Sequence, residues 1–144
     1  FVFVTHDQEE AMVMSDRIAL LRCGELEQIA TPREIYSRPA TAYTAQFIGH
    51  TNLLRAEVRD GVAHCYSMSW PVQLRDGPTL FSLRPEKIRL AGTSANPHDA
   101  VRIRGKLRHL AFHGATDLLM IDGADGLMLC MRTGSQGTVT GELE

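Results

Sequence analysis

From His50 onward the apolar residues recur at every second position for only a few residues at a time, and each short run ends in a turn signal. A chain with this texture can satisfy its backbone only by pairing short strands with one another. Leu54-Arg55-Ala56-Glu57-Val58 alternates and is followed by the turn pair Asp60-Gly61. Phe81-Ser82-Leu83 reads as another short strand. Arg84-Pro85-Glu86-Lys87 forms a corner ahead of Ile88-Arg89-Leu90. Residues 92–99, rich in Ser, Asn, Pro and Gly, read as a loop. Val101-Arg102-Ile103-Arg104 alternates again. Leu118 to Ile121 and Leu127 to Met131 flank Asp122-Gly123-Ala124-Asp125-Gly126, a strong hairpin pattern. Strands this short, at this spacing, predict a small barrel of the OB kind over residues 49–144.

Residues 1–48 read differently. Phe1-Val2-Phe3-Val4 is apolar on both faces, the pattern of a buried strand in a parallel sheet. Thr5-His6-Asp7 follows, and Asp7 stands three residues before Glu10, the spacing of a capping box. The helix so begun would place Ala11 and Met14 on one face. Ile18 to Leu21 and Leu26 to Ala30 read as a hairpin around Arg22-Cys23-Gly24-Glu25, with Gly24 supplying a positive φ. Thr31-Pro32 opens a further helix, Glu34 again completes the capping-box spacing, and Pro39 ends it. Thr41 to Ile48 predicts one more helix, stopped at Gly49. The expected fold is therefore mainly β: a small OB-like barrel preceded by a strand, a helix, a hairpin and linker helices that look like the end of an α/β domain. The boundary is expected near residues 49 to 53, and the chain is expected to start inside a longer protein.

Charge excludes several classes. Residues 1–48 carry four basic and seven acidic side chains, and residues 49–144 carry eleven and ten. A nearly neutral second half, whose aromatics are Tyr66, Trp70, Phe81 and Phe112, lacks the basic groove and stacking platforms of a single-strand nucleic-acid module. Cys23, Cys65 and Cys130 are too far apart for a zinc motif and odd in number, so they imply thiols in a reducing compartment. No stretch approaches the ~20 apolar residues of a membrane helix. His109 and His113 lie on a strand-and-turn segment and are not expected to form the shared ligand face of a helical pair. Asp117, Asp122 and Asp125 lack calcium-loop spacing and read as hairpin and turn residues. No metal site is expected.

His6 is the main chemical candidate. It follows a strand of buried type, at the end where ligands bind in open α/β sheets. An imidazole there can reach a terminal phosphoryl oxygen or orient a water; an exposed loop histidine without a role fits the same residues. The longer run resolves this differently. THDQEEAM, followed by SDRIALLRCGELEQIATPREIYSRPATAYTAQFIG, resembles the switch-histidine segment and following elements of ATP-binding-cassette importer ATPases of the maltose, spermidine/putrescine and iron type. Asn52-Leu53-Leu54, Ser82-Leu83-Arg84-Pro85-Glu86-Lys87-Ile88 and Phe112-His113-Gly114-Ala115-Thr116 resemble the transport-associated OB-like domain that follows the ATPase core in that family.

That resemblance implies that His6 senses the ATP γ-phosphate and that Asp7 meets the opposite subunit of a paired ATPase. Arg84 and Glu86 become candidates for a regulatory or inter-subunit contact, beside the plainer reading of a charged corner worth ~0–1 kcal/mol. The implied partners are a second copy, membrane permease subunits and a regulatory ligand or protein, with no nucleic acid. The implied location is cytoplasmic, peripheral to the membrane through the permease. ATP and Mg2+ are implied for the full-length protein. The phosphate-binding glycine loop, the Asp-Glu that holds magnesium and water, and the signature sequence are missing from these 144 residues. His6 alone supplies one hydrogen bond, on the order of 1–3 kcal/mol if charge-assisted. The chain is therefore expected to be the regulatory and C-terminal portion of an importer's ATP-hydrolysing subunit, for polyamine, iron or a related solute, without hydrolysis or a bound cofactor of its own. The alternative is a stand-alone OB-type module for a small ligand or single-stranded nucleic acid.

Overall fold

The computed structural model describes residues 1–90, 100–135 and 142–143. The predicted loop at 92–99 lies outside the described residues. The chain forms two compact units, Phe1–Thr51 and Asn52–Glu144. Among the described residues no helix is long and apolar enough to cross a membrane.

The first unit contains α1 (Gln8–Met14), β1 (Ile18–Arg22), β2 (Glu25–Ala30), α2 (Pro32–Ser37) and α3 (Ala42–Phe47). β1 and β2 are antiparallel. Their two-residue turn has Cys23 at φ 52° and Gly24 at φ 84°, the two positive values of a type I′ turn, whose twist suits the strands it joins. Ile18, Leu20, Ile35 and Ile48 form the core, with Ala11, Met12, Tyr36, Tyr43 and Phe47 packed against it. Arg22 lies over the Tyr43 ring at 4.6 Å.

The loops of this unit are tied by side chains. Thr31 caps α2 by accepting from the Glu34 N–H at 3.3 Å, while its own N–H donates to the Glu34 carboxylate at 3.1 Å, so both halves of the predicted capping box form. The Thr31 hydroxyl also donates to that carboxylate, and these bonds hold the Glu34 carboxyl below its usual range. Gln28 spans the α2–α3 linker, donating to the Arg38 carbonyl at 3.2 Å and accepting from the Ala40 N–H at 2.8 Å. Thr41 caps α3 through the Thr44 N–H at 3.1 Å and donates to Glu27.

Two expectations for this unit are corrected. The inward residues of α1 are Ala11 and Met12, not Ala11 with Met14; Gln8 accepts from the Gly49 N–H at 3.1 Å and ties the start of the helix to the end of the unit. Met14 is accordingly exposed. Phe1 to Val4 does not form a strand, and its residues are 53–110% exposed. β1 and β2 pair with each other, and among the described residues no strand takes the backbone groups of residues 1–4.

Among the described residues the second unit contains two four-stranded antiparallel sheets. One has the order β5-β4-β3-β6, from β3 (Asn52–Arg59), β4 (Val62–Cys65), β5 (Met68–Pro71) and β6 (Gly77–Leu83). The other has the order β10-β7-β8-β9, from β7 (Gly105–His113), β8 (Thr116–Gly123), β9 (Met128–Gly134) and β10 (Glu142–Leu143). Leu54, Ala56, Val58, Ala63, Cys65 and Met68 of the first sheet share a core with Leu127 and Leu129. Leu119, Ile121 and Met131 form a second cluster with Ile88, Leu90 and Leu107 around them. The fold is mainly β with small sheets, as an OB-like domain requires. Among the described residues, however, the ladders leave both sheets open and no barrel closes.

Where β3 and β9 meet, the asparagine side chain Asn52 takes the place of a ladder. It accepts from the Cys130 N–H at 2.6 Å and donates to the Cys130 and Leu83 carbonyls at 2.8 and 3.1 Å. One amide thereby completes backbone groups on both sheets. Close packing of β7 on β8 starts at Gly105, where a Cβ would stand 2.5 Å from Ile121 Cγ2 and 2.9 Å from the Asp122 carbonyl oxygen. The alternating run 101–104 is not a strand: the β7–β8 ladder ends at Gly105 opposite Gly123, and beyond it the Arg104 carbonyl accepts a single bond from the Ala124 N–H at 3.3 Å. Ile88 to Leu90 likewise makes no ladder; Ile88 and Leu90 instead pack on the second cluster.

Asn52→Ala removes three hydrogen bonds and leaves the Cys130 N–H without its acceptor, so it should destabilise the second unit by about 1–3 kcal/mol. The measurement is the urea midpoint; an unchanged midpoint would show that the amide does not join the sheets.

Candidate functional site

The segment around His6 is built from local hydrogen bonds. Asp7 is the N-cap of α1, its Oδ1 accepting from the Glu9 and Glu10 N–H groups at 2.8 and 3.1 Å. The Glu10 carboxylate does not return to the Asp7 N–H as the predicted capping box requires. Thr5 intervenes: its hydroxyl accepts from the Asp7 N–H at 3.0 Å and donates to Glu10 Oε2 at 2.8 Å. Thr5, Asp7 and Glu10 therefore hold the backbone on both sides of His6. The imidazole itself is exposed and has no hydrogen-bond partner among the described residues. Such a group can offer one hydrogen bond to an incoming acceptor. The contribution of Thr5 was not anticipated, although a threonine two residues before an N-cap is a known signal for a side-chain-bonded turn.

His6 and Asp7 belong to the first unit, and Arg84 and Glu86 to the second. Arg84 is only 6% exposed and Pro85 is fully buried, so the corner is less open to solvent than a surface charge pair would be. The 3-10 turn Pro85–Lys87 packs against β9. Glu86 is half-buried, and both Arg84 and Glu86 have interaction partners.

The three aspartates separate. Asp122 lies 3.7 Å from Arg108 on the surface. Asp125 fastens two turns of the second unit together: its Oδ2 accepts from the Ser67 N–H at 2.8 Å and the Ser67 hydroxyl at 2.5 Å, and its Oδ1 from the Leu127 N–H at 3.2 Å. These bonds, the Ser67 hydroxyl first, hold the Asp125 carboxyl below its usual range. Asp117 is a residue of the β7–β8 hairpin, opposite Phe112, and is only 4% exposed on the β8 face that carries Leu119 and Ile121.

His109 and His113 both lie on β7, in line with the strand reading. Paired with Met120 and Thr116, they lie on the same face of β7, four residues apart. That puts their Cα atoms about 13 Å apart along a strand, beyond the span of one metal ion. Among the described residues no three His, Cys, Asp or Glu side chains come together as metal ligands. Trp70 and Phe81 meet edge to face with centroids 5.1 Å apart, both packed on the core, not displayed as stacking platforms.

No protein-family model matches the chain. It is 41% identical over 127 residues to the spermidine/putrescine import ATP-binding protein PotA of Thermobifida fusca, a match covering 81% of this chain and 33% of that protein. The corresponding protein of Nitratidesulfovibrio vulgaris is 35% identical over 140 residues, 90% of this chain and 38% of the relative. PotA 1 of Pseudomonas aeruginosa is 37% identical over 145 residues, 92% and 38%. The chain is similar in sequence to these import ATP-binding proteins over most of its own length. It spans between 33% and 38% of their length.

Two measurements check the chemistry of this region and of the thiols. Cys23 is exposed, whereas burial pushes the Cys65 and Cys130 thiols up. A thiol reagent at pH 8 should label the native chain in one fast phase that Cys23→Ser removes, with Cys65 and Cys130 reacting more than about tenfold slower until denaturant is added. Ser67→Ala should raise the Asp125 pKa back toward the ordinary carboxylate range, read by carboxyl NMR titration. Because the folded pKa is depressed, the stabilisation from Asp125 exists above the unfolded pKa and is lost as pH falls through the folded one. The stability difference between the native chain and Ser67→Ala should therefore shrink in acid.

Proposed function

We propose that this chain is the C-terminal portion of the ATP-hydrolysing subunit of an ATP-binding-cassette importer. Residues 1–48 are the end of the ATPase domain and residues 49–144 the transport-associated OB-like domain. The observation that carries this reading is the run Thr5-His6-Asp7-Gln8-Glu9-Glu10, in which a Thr5–Asp7–Glu10 network fixes the backbone around an exposed imidazole at a helix start. The identity with relatives named as spermidine/putrescine import ATP-binding proteins supports a polyamine as the solute of the whole transporter.

In this reading His6 donates to the γ-phosphate of ATP in the complete protein. Asp7, one of whose oxygens is already engaged by the helix cap, contacts the opposite subunit through the other. The residues present do not by themselves compose a MgATP site, because the sequence holds no glycine-rich phosphate loop with its lysine. Nucleotide and magnesium would be held by the remainder of the ATPase domain and would supply the phosphoryl chemistry.

Exposed apolar surface in the first unit supports its belonging to a larger core. Phe1 to Val4 is uncovered, and Leu21, Leu26 and Ile29 share the outward face of the β1–β2 hairpin at 47–59% exposure. The complete subunit would act as a pair on the cytoplasmic side of the membrane, bound to permease subunits. The second unit would carry regulation by a ligand or protein, with Arg84 bracing its corner and Glu86 the more accessible part of it.

Two measurements test the proposal. Calorimetric titration of this chain with MgATP should give no binding heat. Binding near the micromolar range would overturn the reading and point instead to a self-contained ligand-binding module. In the complete subunit, His6→Ala should lower the ATPase rate by at least about tenfold, equivalent to the loss of one charge-assisted hydrogen bond. An unchanged rate would remove His6 from the nucleotide site.

A further inference from the structure

We draw no further inference here: the strongest candidate, the buried Asp117 carboxylate on the inner face of the β7–β8–β9 sheet opposite Phe112 and Thr133, is a single acidic side chain with no second observation beside it that points to a ligand.

Discussion

The backbone N–H and C=O groups of an extended segment must be taken up by something, and this requirement decides most of what the chain becomes. β1 and β2 satisfy each other through a tight turn. β7, β8 and β9 do so as a meander of two hairpins. Residues 1–4 and 101–104 have equally good strand patterns, but among the described residues they belong to no ladder. At the junction of β3 and β9 the missing ladder is replaced by one amide, Asn52, which serves both sheets. Apolar pattern creates the tendency to extend; a partner strand or side chain converts it into structure.

The same rule operates at smaller scale in the loops. Thr31, Thr41 and Asp7 satisfy the first N–H groups of three short helices, none longer than seven residues. Helices of that length have little intrinsic stability, so caps and tertiary contacts hold them. Gln28, Gln8 and Asp125 extend the principle to linkers and turns, each side chain bonding backbone groups distant in sequence. Polar side chains thus do in this chain what longer ladders and helices do in larger domains.

The functional reading rests on a similar local arrangement. A histidine after an apolar run is a weak signal by itself. Thr5, Asp7 and Glu10 turn it into a positioned group, because their hydrogen bonds fix the backbone while leaving the imidazole in solvent. The similar import ATP-binding proteins are about two and a half times as long as this chain, and the first unit leaves Phe1 to Val4 and the outward face of the β1–β2 hairpin exposed.

The sequence alone determined the local events: the turn at Cys23-Gly24, the caps at Asp7 and Thr31, the stop at Gly49, and the hairpin around residues 122–126. Each depends on residues within a few positions of one another, so each is written in adjacent letters. It also carried the likeness to importer ATPases, through motifs in order and at fixed spacing. Tertiary structure decided the rest. Whether Phe1 to Val4 or 101–104 becomes a strand, which face of α1 turns inward, whether the sheets close, and whether Arg84 and Asp117 are buried all depend on partners far away in the chain. The β4–β5 hairpin left little trace because its buried residues, Ala63, Cys65 and Met68, make a short and weakly apolar pattern. The paired role of Asn52 left none, since an asparagine at the start of a strand announces nothing about a carbonyl 78 residues later. Hydrogen bonds of long sequence separation are selected by the packing of whole sheets, and packing is not a property of any short window of sequence.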